Sequence, residues 1–226
     1  MLGWISGIFS GLRRKPRFRL GLIEGPTFAC TFKKGEKYGE FEVHRTGFAL
    51  YVHISNTGTA PSSIHNVAVG YHWCIKPLSI QWFKYGVGWF WLENQVTSLS
   101  DFQYRIGENI KFFPFLTQAS SMSLAAIDTY LQIGKSANGV VYFEQSESFG
   151  GCFPLVVGGK VSVKVRITDV FGRHYTRVFQ IPAVSLEDAR KYNPAFGSTM
   201  EELKRHHEAA ADKANPAQTV PSSPKK

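Results

Sequence analysis

The stretch from Phe48 to Ile75 leaves this chain few ways to fold. Phe48, Leu50, Val52 and Ile54 share one parity; Ala49, Tyr51, His53 and Ser55 share the other. A period of two is the mark of a half-buried strand. The run Asn56-Thr57-Gly58-Thr59-Ala60-Pro61-Ser62-Ser63 then supplies almost nothing but turn and loop formers. Alternation returns from Ile64 to Ile75, with Val67, Val69, Tyr71, Trp73 and Ile75 on one face. Two apolar faces of this length must be buried, and a second sheet is the economical partner.

The rest of the chain reads in the same way. Short strands are predicted over residues 17–24, 27–32, 102–106, 110–115, 129–133 and 140–144, with polar turns at 33–37 and 146–152 and a lead-in to the organising strand over 40–44. The cleanest strand is 161–168, with Val161, Val163, Val165 and Ile167 facing in and Ser162, Lys164, Arg166 and Thr168 facing water. Asp169-Val170-Phe171-Gly172 turns it back into a second strand, 173–181. Ser185 caps a helix to about Tyr192, stopped by Asn193-Pro194, and Ser198 caps another over 200–213. Residues 215–226 have the composition of a disordered tail. The domain reading is 1–16, an amphipathic basic segment; 17–182, a β-sandwich; 183–214, a C-terminal helical extension; and 215–226, the tail.

The first twelve residues segregate on a helical wheel. Leu2, Trp4, Ile5, Ile8, Phe9 and Leu12 fall on one side, and glycines and serines fill the other. Arg13, Arg14, Lys15, Arg17 and Arg19 follow at once, in a chain of net charge +9 whose body is nearly balanced. Three glycines and two serines make a poor helix in water, so such a leader gains order from a surface that takes its apolar face. An anionic bilayer fits, with rings at the headgroup level and cations over the lipid charge. A partner protein, the body of the same chain, or no fixed surface at all are the alternatives.

Residues 81–91 hold Trp82, Phe83, Tyr85, Trp89, Phe90 and Trp91 with a single charge. No period of two or 3.6 emerges, and Gly86 and Gly88 suggest a bend. Rings that plug one end of a core are one reading. An exposed aromatic patch for a partner, ligand or lipid is the other.

Reactive machinery is sparse. His72 and Cys74 share a strand face as metal ligands do, yet His44, His53, His65, His174, Cys30 and Cys152 add no ligand spacing. Cys152 between glycines and Phe153 is the best nucleophile candidate, and its ordinary reading is a small apolar residue beside a turn. His206-His207 reads as a solvated helix face. Gly134-Lys135-Ser136 has only the tail of a phosphate-binding loop. No cofactor and no metal are expected. Three widely spaced cysteines and the lack of a secretory leader point to a cytoplasmic protein, peripheral at the inner membrane face if the leader binds lipid.

The strand pattern around Asn56-Thr57-Gly58-Thr59-Ala60-Pro61, with the later Gly159-Lys160-Val161 to Asp169-Val170-Phe171-Gly172-Arg173 hairpin, resembles immunoglobulin-like and fibronectin-like domains over residues 17–182. The resemblance implies an antiparallel β-sandwich serving as a binding or scaffolding module. The chain departs from true immunoglobulin domains in its Cys–Trp–Cys arrangement, since Trp73 adjoins Cys74. The expectation is a non-enzymatic binding or adaptor protein with a protein partner, attached to a membrane surface or partner through residues 1–19. Nucleic-acid binding through the basic N-terminus and exposed aromatics is the first alternative, and a cysteine- or metal-dependent enzyme the second.

Overall fold

A computed structural model describes residues 14–117 and 129–198 of the chain. Among them the strands are β1 (Phe18–Leu22), β2 (Phe28–Tyr38), β3 (Phe41–Asn56), β4 (Ser62–Tyr71), β5 (Phe90–Leu92), β6 (Phe102–Ile106), β7 (Asn109–Phe113), β8 (Tyr130–Leu131), β9 (Ser136–Ser148), β10 (Val156–Val157), β11 (Lys160–Asp169) and β12 (His174–Pro182). A π-helical turn spans Trp82–Val87, and one α-helix, α1, spans Leu186–Tyr192. The chain is mainly β, and every strand pairing is antiparallel.

β3 is the axis of the first sheet. β9 pairs along one edge, from Ser55↔Ser136 to His44↔Ser148. The other edge is divided: β1 takes Val52 to Asn56 and β2 takes Phe41 to Ala49. In the second sheet β11 lies between β12 and β4, β5 and β8 pair with β4, and β10 turns onto β11. Phe48, Leu50, Val52 and Ile54 from the first sheet share one buried cluster with Val67, Val69 and Tyr71 of β4 and Val163, Val165 and Ile167 of β11. The alternation predicted for β3, β4 and β11 therefore faces inward as expected.

The strand expected to run to Ile75 ends at Tyr71, and residues 146–148 of the expected 146–152 turn continue β9. Two further expectations change in kind. Residues 33–37 are strand, not turn: β2 continues through a bulge between Lys33 and Lys37 and reverses at Gly39, whose φ of +61° suits a tight turn. Lys33 pairs with Glu42 across the strands there, so polar residues form an exposed ladder that composition alone reads as a loop. The second change concerns the back of β3. Ala49 is wholly buried and Tyr51 is half-buried, because a third layer covers that face. The β6–β7 hairpin and residues 184–196 close a second cluster of Phe28, Cys30, Ala49, Phe102, Phe113, Phe115, Val140, Tyr142, Ala189 and Phe196.

α1 forms where the sequence places it. Ser185 accepts from the Asp188 backbone N–H at 3.1 Å, acids fill the first turn, and Arg190 and Lys191 fill the last. Its residues belong to the second cluster, so this part of the predicted extension packs on the body. The predicted leader helix over 1–12, the second C-terminal helix and the tail lie outside the described residues.

Strand directions define two ends. One carries Arg14 to Arg17, the 57–61 loop, the β8–β9 turn and the β11–β12 turn. The other carries the 72–89 segment, the β2–β3 turn and the 149–155 loop. The ten residues of β4 separate them by roughly 30 Å.

Candidate functional site

The N-terminal end is built on Asn56. Its Nδ2 donates to the carbonyls of Ala60 (2.8 Å) and Leu131 (3.0 Å), and its Oδ1 accepts from Arg17 N–H (3.3 Å) and Gly58 N–H (3.0 Å). The backbone N–H groups of Thr57 and Thr59 donate to the carbonyls of Arg17 (2.8 Å) and Lys15 (2.9 Å). A Cβ at Gly58 would lie 2.3 Å from Arg17 N, so only glycine lets the incoming chain lie flat on this loop.

Asp169 fixes the neighbouring turn. Its Oδ1 accepts from the N–H groups of Phe171 and Arg173, both at 2.9 Å, and its Oδ2 lies 3.3 Å from the Tyr175 hydroxyl. That hydroxyl donates to the Pro16 carbonyl at 2.9 Å, tying β12 to the N-terminal segment. Burial, then the Asp169 charge, pushes the Tyr175 phenol up from its ordinary value.

Around this frame Arg14, Lys15, Arg17, Lys135 and Arg173 are exposed. Among the described residues of these loops the one acid is Asp169, which is buried. Large apolar side chains stand at the turn tips: Ile133 is 56% exposed, Val170 54% and Phe171 65%. An open basic cleft of about 510 Å³ between β1 and β12, lined by Arg17, Arg19 and Arg177 among others, continues the surface. Arg177 also donates to the Leu20 carbonyl at 2.7 Å. Of the residues proposed from sequence, Arg14, Lys15, Arg17 and Arg19 are here, while Leu2, Trp4, Ile5, Ile8, Phe9, Leu12 and Arg13 lie outside the described residues. Sequence reasoning missed the tips. The available signal was a Val-Phe pair in the middle of an Asp/Gly turn, where polar residues are usual.

The aromatic end divides into three groups. Tyr85 and Phe90 pack on Trp73, with ring centroids 4.4 and 4.7 Å apart, and Phe90 also meets Tyr71, so these rings do extend the core. Trp89 covers His72 at 4.0 Å with Lys164 over its ring, and Trp91 covers Gly70 with the Arg166 guanidinium 4.3 Å above it. Trp82 and Phe83 belong to the π-helical turn, where Phe83 is 60% exposed, beside exposed Leu78, Ile80 and Val87. From His72 to Leu92 the only charges are Lys76 and Lys84. Tyr85 and Phe90 thus pack against the core, while Phe83 is exposed. The basic segment and the aromatic patch, joined in the nucleic-acid alternative, are at opposite ends.

The 149–155 loop brings Cys152 beside the His72–Cys74 segment, with the Cys74 N–H donating to the Phe153 carbonyl and the Leu155 N–H to the His72 carbonyl, both at 2.9 Å. His72 has its Nδ1 2.8 Å from the Gly88 carbonyl, and no group of three or more potential metal ligands occurs among the described residues. Cys30, Cys74 and Cys152 are free thiols. Burial pushes the Cys152 thiol up, away from the thiolate a nucleophile needs. His44 contacts Phe153, His53 meets Asn138, and His174 meets Thr168, all as local pairs. His65 is exposed. His206 and His207 lie outside the described residues. Gly134 and Lys135 form the β8–β9 turn, bonded to Asn56. No helix among the described residues is long and apolar enough to cross a membrane. No family model matches the chain, and no curated protein matches it.

Proposed function

We propose that this is a non-enzymatic adaptor, an immunoglobulin-like β-sandwich held by residues 1–19 to a membrane face or a partner protein inside the cell. Its aromatic end, with exposed Leu78, Ile80 and Phe83, then faces a protein partner. One observation carries the reading: the leader enters at an end that is cationic and carries apolar tips, about 30 Å from the aromatic end. A tether and a binding face at opposite ends leave the second free when the first is engaged. Three free cysteines accord with a reducing compartment.

Cell fractionation tests the tether. The full chain is expected in the particulate fraction and a chain beginning at residue 14 in the supernatant; the same distribution for both rejects the reading. Nucleic-acid binding that joins the basic N-terminus to the rings of residues 82–91 is the weaker reading, because the ten residues of β4 set those two surfaces about 30 Å apart. No shift of a short single-stranded oligonucleotide at low salt is the expected result.

A further inference from the structure

The N-terminal end has a feature that the leader does not require. Its turns present Ile133, Val170 and Phe171 to solvent at more than half exposure, on three-sided backbone support. The Val170 N–H donates to the Ser63 carbonyl at 3.2 Å, Gly172 N–H to the Asp169 carbonyl at 2.9 Å, and Gly134 N–H to the Asn56 carbonyl at 2.8 Å. These tips are therefore held, not trailing. Burying large apolar side chains is favourable, and leaving several at one end of a domain forgoes that gain. Around them stand Arg14, Lys15, Arg17, Lys135 and Arg173, exposed and without an exposed acid in the same described loops. The Arg173 guanidinium lies 5.7 Å from the Phe171 ring, so charge and ring share one tip.

We infer that this end docks directly on an anionic bilayer, with Ile133, Val170 and Phe171 entering the headgroup layer and the five cations lying over lipid charge. The inference rests on the tether reading above; it names the surface and adds body residues to the leader. Charge complementarity selects lipid as the occupant. Apolar prongs inside a cationic ring match the two layers of an anionic leaflet, acyl boundary below and phosphate above. The same geometry fixes orientation. With these two turns, β8–β9 and β11–β12, on the bilayer, β3 and β4 stand away from it and raise the aromatic end about 30 Å above the headgroups.

The test is flotation with vesicles of phosphatidylcholine alone and with about 30% phosphatidylserine, using the full chain, the full chain carrying Val170→Asp and Phe171→Asp, and a chain lacking residues 1–12. The full chain is expected to float with the anionic vesicles, less so at high salt. The double variant is expected to bind about tenfold more weakly or worse, with an unchanged melt, because both side chains are exposed. Binding of the double variant within twofold of the full chain overturns the docking inference. If binding is lost at the same time on removal of residues 1–12, the tether reading survives it. A full chain that ignores both vesicle types overturns the lipid surface, leaving a protein surface for the tether. Phe171→Trp in the full chain gives a second readout. Extra fluorescence quenched by brominated anionic lipid, relative to the unsubstituted chain, is expected; unquenched fluorescence with bound protein overturns insertion of this tip.

Discussion

Asn56 shows how one side chain can organise a whole end of a protein. It is fully buried, and all of its amide hydrogen-bonding capacity that the fold uses goes to main chain from three separate segments. Asn56→Ala would orphan two carbonyls and two N–H groups, each worth about 1 kcal/mol when satisfied and more when buried and unpaired. A loss of roughly 2–4 kcal/mol in denaturant unfolding is expected; a change under about 0.5 kcal/mol would show that the loop does not depend on it. Cys30 makes a second case. Burial pushes its thiol from 9.0 up to about 11, so between those values the folded state keeps a proton that the unfolded chain has released. The contribution is complete below pH 9 and is lost as pH rises toward 11. Buried Tyr71 and Tyr142, also raised by burial, act in the same direction at higher pH. The melting temperature is expected to fall over this window, and to fall less in Cys30→Val. Equal slopes in the two proteins would remove Cys30 as a cause.

Among elements, the N-terminal strap and the C-terminal segment do most to complete the body. Residues 15–17 lie on the 57–59 turn with no room for a side chain at Gly58, where a Cβ would meet Arg17 N, Lys15 O and Pro16 C at 2.3–2.6 Å. Those neighbours are main chain and cannot swing aside. Gly58→Ala is expected to lift the strap and speed tryptic cleavage after Arg14 and Arg17 several-fold, while β1 keeps its register with β3. Unchanged cleavage would mean the turn gives way instead. The C-terminal segment seals the other face of β3. Phe196 is buried over Gly47, whose added Cβ would come within 2.5 Å of the ring, and the Arg45 guanidinium donates to the Gly197 carbonyl at 2.5 Å. Burying one Phe side chain contributes roughly 2–3 kcal/mol. Ending the chain at residue 184 would uncover Phe28, Ala49 and Tyr142 together. A lower melting temperature and a strong rise in hydrophobic-dye binding are expected; neither occurring would show the third layer to be dispensable.

At the scale of the whole molecule, the contrast between ends matters more than total charge. The net charge of +9 would suggest a nucleic-acid reader if it were spread over a groove. Instead cations gather where the leader enters, and the rings gather where β4 ends and β5 begins. At the aromatic end Glu42 pairs with Lys33 in the β2–β3 ladder, and Lys34 reaches both Glu36 and Glu147. Mixed charge beside exposed apolar side chains suits a protein partner better than a lipid sheet. Leu78→Asp with Phe83→Asp is accordingly expected to leave vesicle flotation unchanged. A parallel loss of flotation would place lipid at this end instead.

The alternation of Phe48–Ile54, Val67–Tyr71 and Val161–Ile167 was enough to set strands and their buried faces, because successive side chains of a strand point to opposite sides. The Ser185 cap was equally legible, since capping is a contact within one turn. What pattern did not contain were consequences of neighbours distant in the chain. Ala49 and Tyr51 look like an outward face until Phe102, Phe113 and Phe196 arrive from 50 to 150 residues away to cover them. Lys33 to Lys37 look like a turn until Glu42 offers a partner across the ladder. The same holds for the candidate docking end. Local sequence supplied the amphipathic leader and its arginines, but Ile133, Phe171 and Arg173 join them only because β8 and β11 end at the level where β4 and β9 begin. Periodicity is a property of a segment and can be read along it; adjacency is a property of the folded chain, decided by which surfaces remain to be buried once the strands have formed.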